Sequence, residues 1–509
     1  MDVTQILMLI TILVYLAAMV GIGAVLAKQN QTTDDFYLGG RTLGPLVTAM
    51  SAEASDMSSW LLMGLPGVAY LSGTADAAWT AIGLAIGTYV NWLVVAKRLR
   101  NYTHVCGNST TLPLFFSNRY RDNKRILSVI AALLIIIFFV PYTASGFAAC
   151  GKLFANLFGM DYLPAMLISA IVIVAYTTLG GFLAASTTDF VQSIVMTIAI
   201  VVVFGFGISK VGSFSAVMDN AKSMAGYFSL THTHDVATGT ASPYSLLQIF
   251  STLAWGLGYF GMPHVLLRFM AIGDANKLKL SRRVATVWVV ISMAVSVFIG
   301  VIGNAMTKAG VLPTLKDPET IILVVADLIS KHGVLATIIA GLILAGILAA
   351  TMSTADSQLL AASSSASQNI LKEVFMKDMS EKTGMLIARI TVLVIALIGV
   401  FIARNPDSSV FQIVSFAWAG FGASFGPLVL LALFWKRSTF QGALCGMVSG
   451  GVMVFVWKFL IRPMGGALSI YELLPAFLLG LAVNVIVSLL TPAPSREVQD
   501  EFDKVASMK

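Results

Sequence analysis

The stretch SAEASDMSSWLLMGLPG, Ser51–Gly67, decides the fold. Its flanks are apolar, yet it carries Glu53, Asp56, four serines and a Gly-Leu-Pro-Gly run. In hydrocarbon every backbone N–H and C=O needs a partner, so an interrupted helix is tolerated only where the freed groups line a site or a water-filled cavity. The interruption makes ligands of the backbone. Freed carbonyls suit a hard cation, and the amino end of a half-helix suits a carboxylate.

The surroundings are indeed oil. Of 509 residues 57% are hydrophobic and 11% charged, and the mean hydropathy is +0.86, against roughly 25% charged residues in soluble domains. The chain reads as an all-α polytopic membrane protein. Apolar runs of about 20 residues occur near 5–26, 42–70, 75–96, 126–156, 162–184, 189–209, 245–270, 282–306, 335–370, 384–403, 409–435, 440–460 and 471–491, thirteen in all. The run at 5–26 is too long for a signal segment and lacks a basic start and a cleavage site, so it reads as a retained span. Cys106, Cys150 and Cys445 form no metal spacing and no disulfide framework, and read as packing residues.

The net charge of +7 is explained by topology rather than nucleic acid. With the N-terminus outside, most of the 32 Lys and Arg residues fall in loops that become cytoplasmic, which places the C-terminus in the cytoplasm of a cell membrane protein. Lys97, Arg98, Arg100, Arg119, Arg121, Lys124 and Arg125 lie in one such segment, read as a solvated, membrane-orienting face.

Five spans after the first break, a second one reads WGLGYFGMPH, Trp255–His264. Breaks at corresponding positions point to inverted repeats of a transporter. The expected organisation is a first helix and loop (1–41), a five-helix repeat (42–209), an outer loop (210–244), a second, inverted five-helix repeat (245–435) and two C-terminal helices with a tail (436–509). Glycines that only let helices pack closely are the competing explanation.

A cation also needs ligands from another element. The ninth span, GILAATMSTADSQLLAASSSASQN, places Ala350, Ser353 and Thr354 at i, i+3 and i+4 on one face, and Ser357, Ala361, Ser364 and Gln368 continue a small, polar stripe read as the wall of a hydrated exit path. Asp356 lies about one turn beyond Ser353, and Asp189, in STTDFVQ, is placed at the start of the sixth span. Charged groups in a span usually face water, a partner or a pathway. The pair is therefore read as an acidic way-station that attracts a second cation or traps a proton, against the blander reading of Asp189 as a helix cap and Asp356 as a hydrated wall residue. The five histidines show no HExxH spacing and there is no P-loop, which disfavours a metalloenzyme and an ATP-driven pump. THTH, Thr231–His234, reads as a solvated turn. No channel filter or charged ring is visible.

Five stretches, DDFYLGGRTLGP, SAEASDMSSWLLMGLPG, WGLGYFGMPH, ILAATMSTADSQLL and VSFAWAGFGASFGP, resemble the sodium/solute symporter family, and within it the sodium/proline symporters. The resemblance spans about 5–491. It implies thirteen helices with a five-plus-five inverted repeat, no catalysis, no cofactor, and sodium as coupling ion for inward symport of L-proline by alternating access. Another amino acid, pantothenate or a short-chain acid is the alternative cargo.

Position by position, the resemblance implies sodium ligands at the carbonyls of Ala54, Met57 and Ala350 and the hydroxyls of Ser353 and Thr354. Asp56 matches an aspartate needed for sodium-coupled uptake, with helix capping as its plainer role. Arg41 matches an arginine linked to sodium dependence, with an interfacial anchor as the alternative. Ser58, Gly64, Tyr142, Trp255, Tyr259 and Pro263 are the implied substrate residues, the aromatics facing the pyrrolidine ring and its ammonium unless they belong to an interfacial belt. Glu53, Met262 and Asp356 depart from the family pattern.

Overall fold

The computed structural model describes residues 2–28, 32–375, 380–405 and 409–508; residues 29–31 of the 1–41 segment lie outside it. Among the described residues ten helices are long and apolar enough to cross a membrane. Three shorter apolar helices, Trp60–Ser72, Tyr162–Ala175 and Leu246–Phe260, accompany them.

Burial sorts the spans into a centre and a rim. The most apolar window of Val410–Phe434 is 83% buried and that of Val334–Glu373 67%, whereas Val3–Leu26, Lys382–Ile402 and Phe440–Met464 are each 28% buried. Rim helices expose Leu13, Val14, Leu397 and Phe401, a surface that hydrocarbon accepts without cost. The central helices must instead carry small and polar groups, because their neighbours and not lipid satisfy them.

Both breaks are real, with one shift in register. The first half-helix, Pro45–Asp56, ends at Met57 (φ −75°, ψ 35°), and the chain resumes as Trp60–Gly64 and Leu65–Ser72. The Gly-Leu-Pro-Gly run is therefore helical. Pro66 is the second residue of Leu65–Ser72, directly after the wider helical turn Trp60–Gly64, and the interruption is confined to residues 57–59. The second half-helix pair is Leu246–Leu253, continued by a tight turn Ala254–Phe260, and Pro263–Ala271. Its glycines also serve packing: a Cβ on Gly256 would collide with the Gly83 carbonyl, and one on Gly258 with the Trp418 indole.

The fifth and sixth spans are one run, Tyr162–Val211, broken at Gly181 (φ 64°, ψ −174°), a backbone region open essentially to glycine alone. Asp189 is thus two turns inside a helix and fully buried, which overturns its reading as a cap at a span's start. Two further expectations change. His232, Thr233 and His234 of THTH lie in a strand, His232–Asp235, paired with Thr240–Pro243, and Cys445 is exposed while Cys106 and Cys150 are buried, all three as free thiols.

The basic segment is less solvated than its charge implies. Arg119 is fully buried, donating to the Ala432 carbonyl at 3.0 Å. The C-terminal helix Arg496–Ser507 docks against this end, where Arg121 pairs with Glu497 at 3.0 Å and Glu501 at 2.9 Å, and Lys436 pairs with Asp503. At the opposite end Glu319 caps Val410–Phe434, accepting from Ser409 Oγ at 2.9 Å and from the Val410 and Phe411 amides, both at 3.1 Å. Lys152 balances that carboxylate at 3.0 Å.

Candidate functional site

The freed carbonyls of the first break are claimed by side chains from other helices. Ser353 Oγ donates to the Ala54 carbonyl at 2.9 Å, and the Tyr142 hydroxyl donates to the Asp56 carbonyl at 3.2 Å. Ser353 Oγ also reaches the Ala350 carbonyl at 3.2 Å, and Thr354 Oγ1 reaches it at 3.1 Å. Four of the five oxygens expected around sodium are therefore linked to one another by hydrogen bonds. They are neutral, hard oxygens, the donor type a group-one cation takes in place of water.

Asp56 stands between both broken helices. Its Oδ2 accepts from the Tyr259 hydroxyl at 2.5 Å and Oδ1 has no partner among the described residues, so the carboxylate does not cap the helix that follows the break. Ser58 Oγ accepts from the Trp60 amide at 3.1 Å, which shapes the turn at the break. Ser58, Tyr142, Gly146, Thr351 and Thr354 meet in a gap too narrow for water. Glu53 faces away from this gap: Oε1 accepts from Trp92 Nε1 at 2.8 Å. Met262 precedes the second half-helix and Pro263 begins it, both buried.

Aromatic rings close the site on one side. Trp255 stacks on Tyr471 (5.0 Å between centroids, 20°) and lies 5.6 Å from Trp60 and 5.5 Å from Phe411. Tyr259 meets Trp418 edge-on at 5.1 Å, and Trp418 Nε1 donates to the Trp255 carbonyl at 2.8 Å. Gly64 lies under this lid, where a Cβ would stand 3.3 Å from both Trp60 and Phe411. Above Trp255 a vestibule of about 880 Å³ opens between the 233–252 and 458–471 segments. Trp255 and Tyr259 are 4% and 1% exposed, so neither is a membrane-interface residue. Trp60, Phe411, Trp418 and Tyr471 were not singled out from sequence, although Trp60 and Trp418 lie inside two of the quoted motifs.

At the other end Arg41, itself at φ 56°, straps three segments together. It donates to the Met270 carbonyl at 2.6 Å, the Ser109 carbonyl at 2.7 Å and Asn108 Oδ1 at 3.1 Å. Beside it Leu43 N donates to the Ala271 carbonyl and Gly273 N to the Leu43 carbonyl, both at 3.1 Å. The entry to the first half-helix and the exit of the second are thus tied together. A cavity of about 780 Å³ lies at this end, with Gln368, Asn369, Arg125 and Lys372 on its wall. Of the polar stripe only Gln368 reaches it, since Ser357, Ala361 and Ser364 are buried; the stripe is a packed seam, not a hydrated wall.

Below the main oxygen cluster lies a second, charged one. Asp189 Oδ2 accepts from Ser51 Oγ at 2.7 Å and from Arg268 Nη2 at 3.2 Å. Ser357 Oγ donates to Asp356 Oδ1 at 3.2 Å. Asp189 and Asp356 are fully buried, so Asp356 is not a hydrated wall residue. Sequence alone does not point to Arg268, because PHVLLRFM offers no cue to partners 79 and 89 residues away.

A helical bundle with two half-helix pairs meeting at a buried oxygen cluster, between cavities at opposite ends, is the construction of a secondary transporter. The sodium:solute symporter family model matches residues 36–450. The sodium/proline symporter of Salmonella typhimurium is 41% identical over 502 residues, 98% of this chain and 96% of the relative. The high-affinity proline transporter PutP of Bacillus subtilis is 42% identical over 484 residues, 95% of this chain and 98% of that one. The chain belongs to the sodium:solute symporter family. Its fold is shared with a Na+-coupled sialic acid symporter solved substrate-bound and outward-open, with a TM-score of 0.78 at 18% identity over 96% of this chain and 99% of the other.

Proposed function

We propose that this chain carries L-proline into the cell together with sodium, by alternating access. The observation that carries the reading is the placement of Asp56: its residue bonds Tyr142 and Tyr259, while Ala54, two positions earlier, bonds Ser353. A cation at Ala54, Met57, Ala350, Ser353 and Thr354 and a solute at Ser58, Tyr142, Trp255 and Tyr259 would then share one break. Each ligand favours the arrangement the other needs, which is the physical content of coupling. The names of the relatives, sodium/proline symporter and proline transporter, support proline as the solute.

Within this reading the small residues Ser58, Gly64 and Pro263 at the half-helix ends take the carboxylate, and the aromatic faces take the ring and its secondary ammonium. The vestibule over Trp255 is the outer entrance. Arg41 holds the cytoplasmic side shut, and Asp56, Asp189, Asp356 and Ser357 connect the cation cluster to the helices that move. The ten long apolar helices and three shorter ones among the described residues support a reading of thirteen crossings, with 1–41, repeats 42–209 and 245–435 around the loop 210–244, and 436–509, in the cell membrane with the N-terminus outside. Labelled proline uptake into proteoliposomes tests the function. An inward sodium gradient should drive accumulation, and an equal potassium gradient should not. Equal uptake in both, or no competition by unlabelled proline, would contradict it.

A further inference from the structure

Arg268 lies on the second half-helix, Pro263–Ala271, and is 1% exposed. Its Nε donates to Ser51 Oγ at 3.0 Å and its Nη1 to the His264 carbonyl at 3.0 Å. Nη2 donates to Asp189 Oδ2 at 3.2 Å and to Ser357 Oγ at 2.6 Å. The guanidinium carbon sits 4.9 Å from the centre of the Phe182 ring. A charge buried this deeply in a membrane protein is costly and marks a working part.

Its position relative to the main oxygen cluster shows which part. Ser51 precedes Ala54 by three residues and Ser357 follows Ser353 by four, so each lies one helical turn from an oxygen of that cluster. The helices Pro45–Asp56 and Val334–Ser364 are therefore bridged twice. One bridge is the Ser353 hydroxyl on the Ala54 carbonyl; the next is Ser51, Arg268 and Ser357. The second position has the oxygens a small cation would want, the Asp189 carboxylate and two hydroxyls, with Asp356 beside Ser357. Arg268 takes them.

We propose that the Arg268 guanidinium is a tethered cation occupying a second cation seat, which restricts the chain to a single sodium ion. The proposal rests on the main sodium site of the preceding subsection. A planar guanidinium can bond a carboxylate and two hydroxyls at once. Being part of the chain, it occupies the seat without the entropy cost that a free ion incurs on binding. Asp189 Oδ1 and Asp356 Oδ2 have no hydrogen-bond partner among the described residues, so the seat keeps oxygens free for a cation if the guanidinium is removed. The arginine also carries the second half-helix to the seam that sodium closes.

Counting radiolabelled sodium bound at saturation by the purified full-length chain tests this. Wild type and Arg268→Lys should each bind one ion per chain, and Arg268→Gln, which opens the seat, should bind two. Adding Ser353→Ala and Thr354→Ala should leave none on the wild-type background and one on Arg268→Gln. Two ions on wild type, or one on a membrane-inserted Arg268→Gln, would overturn the tethered cation. Should Arg268→Gln fail to insert, wild type with and without the two alanines still decides: one ion falling to none supports the proposal, two falling to one contradicts it. One ion that persists through both alanines contradicts instead the main sodium site, and no ion on wild type contradicts the symport reading itself.

Discussion

The Tyr259 hydroxyl donates to the Asp56 carboxylate at 2.5 Å and so joins the second broken helix to the first. The same ring packs edge-on against Trp418. Phenylalanine at this position keeps the packing and removes the bond. Because a hydrogen bond to a charged group contributes about 1.5–3 kcal/mol, Tyr259→Phe should raise the half-saturating proline concentration by roughly tenfold or more, with membrane abundance unchanged. Uptake kinetics indistinguishable from wild type would remove this bond from the mechanism.

Ser353→Ala and Thr354→Ala each delete a hard oxygen while preserving the helix, since alanine is the best helix former. Apparent sodium affinity should fall far more than the amount of protein in the membrane. A tryptophan-fluorescence titration reads it, and normal sodium binding in both variants would place the cation elsewhere.

Trp255→Ala removes a ring stacked on Tyr471, and such contacts are worth on the order of 1 kcal/mol beyond their buried area. Proline should bind more weakly while sodium binding measured alone is spared. Weak insertion with unchanged proline affinity would make Trp255 a structural residue only.

Glu319→Gln weakens a charged cap on Val410–Phe434 and leaves Lys152 with Asp317 as its remaining carboxylate. Capping losses run to about 0.5–2 kcal/mol, so in a chain of this length the unfolding temperature should drop by about 0.5–2 °C. Cys106 and Cys150 are buried thiols and report unfolding to a thiol-reactive dye once the exposed Cys445 is replaced by serine. An unchanged melting curve would show that the cap contributes little.

The breaks were legible because Asp56, Ser58 and the Gly256–Pro263 run are expensive in hydrocarbon unless they do something. The Ser353 face followed from helical spacing alone. The sixth span was misplaced because Ser-Thr-Thr-Asp looks like a cap, whereas the turn depends on the backbone freedom of Gly181. The polar stripe looked wet because composition does not tell a seam between helices from a wall facing water. Arg268 was invisible because a charge near the end of an apolar run usually reaches toward solvent, and only the fold shows Asp189 and Ser357 waiting for it.

The central claim is that sodium and proline meet across one break, and reciprocity tests it most directly. Proline affinity of the purified chain is measured at increasing sodium, and sodium affinity at increasing proline. Each ligand should tighten the other by the same factor, and Ser353→Ala should weaken the proline response to sodium. Two affinities independent of one another would contradict the account.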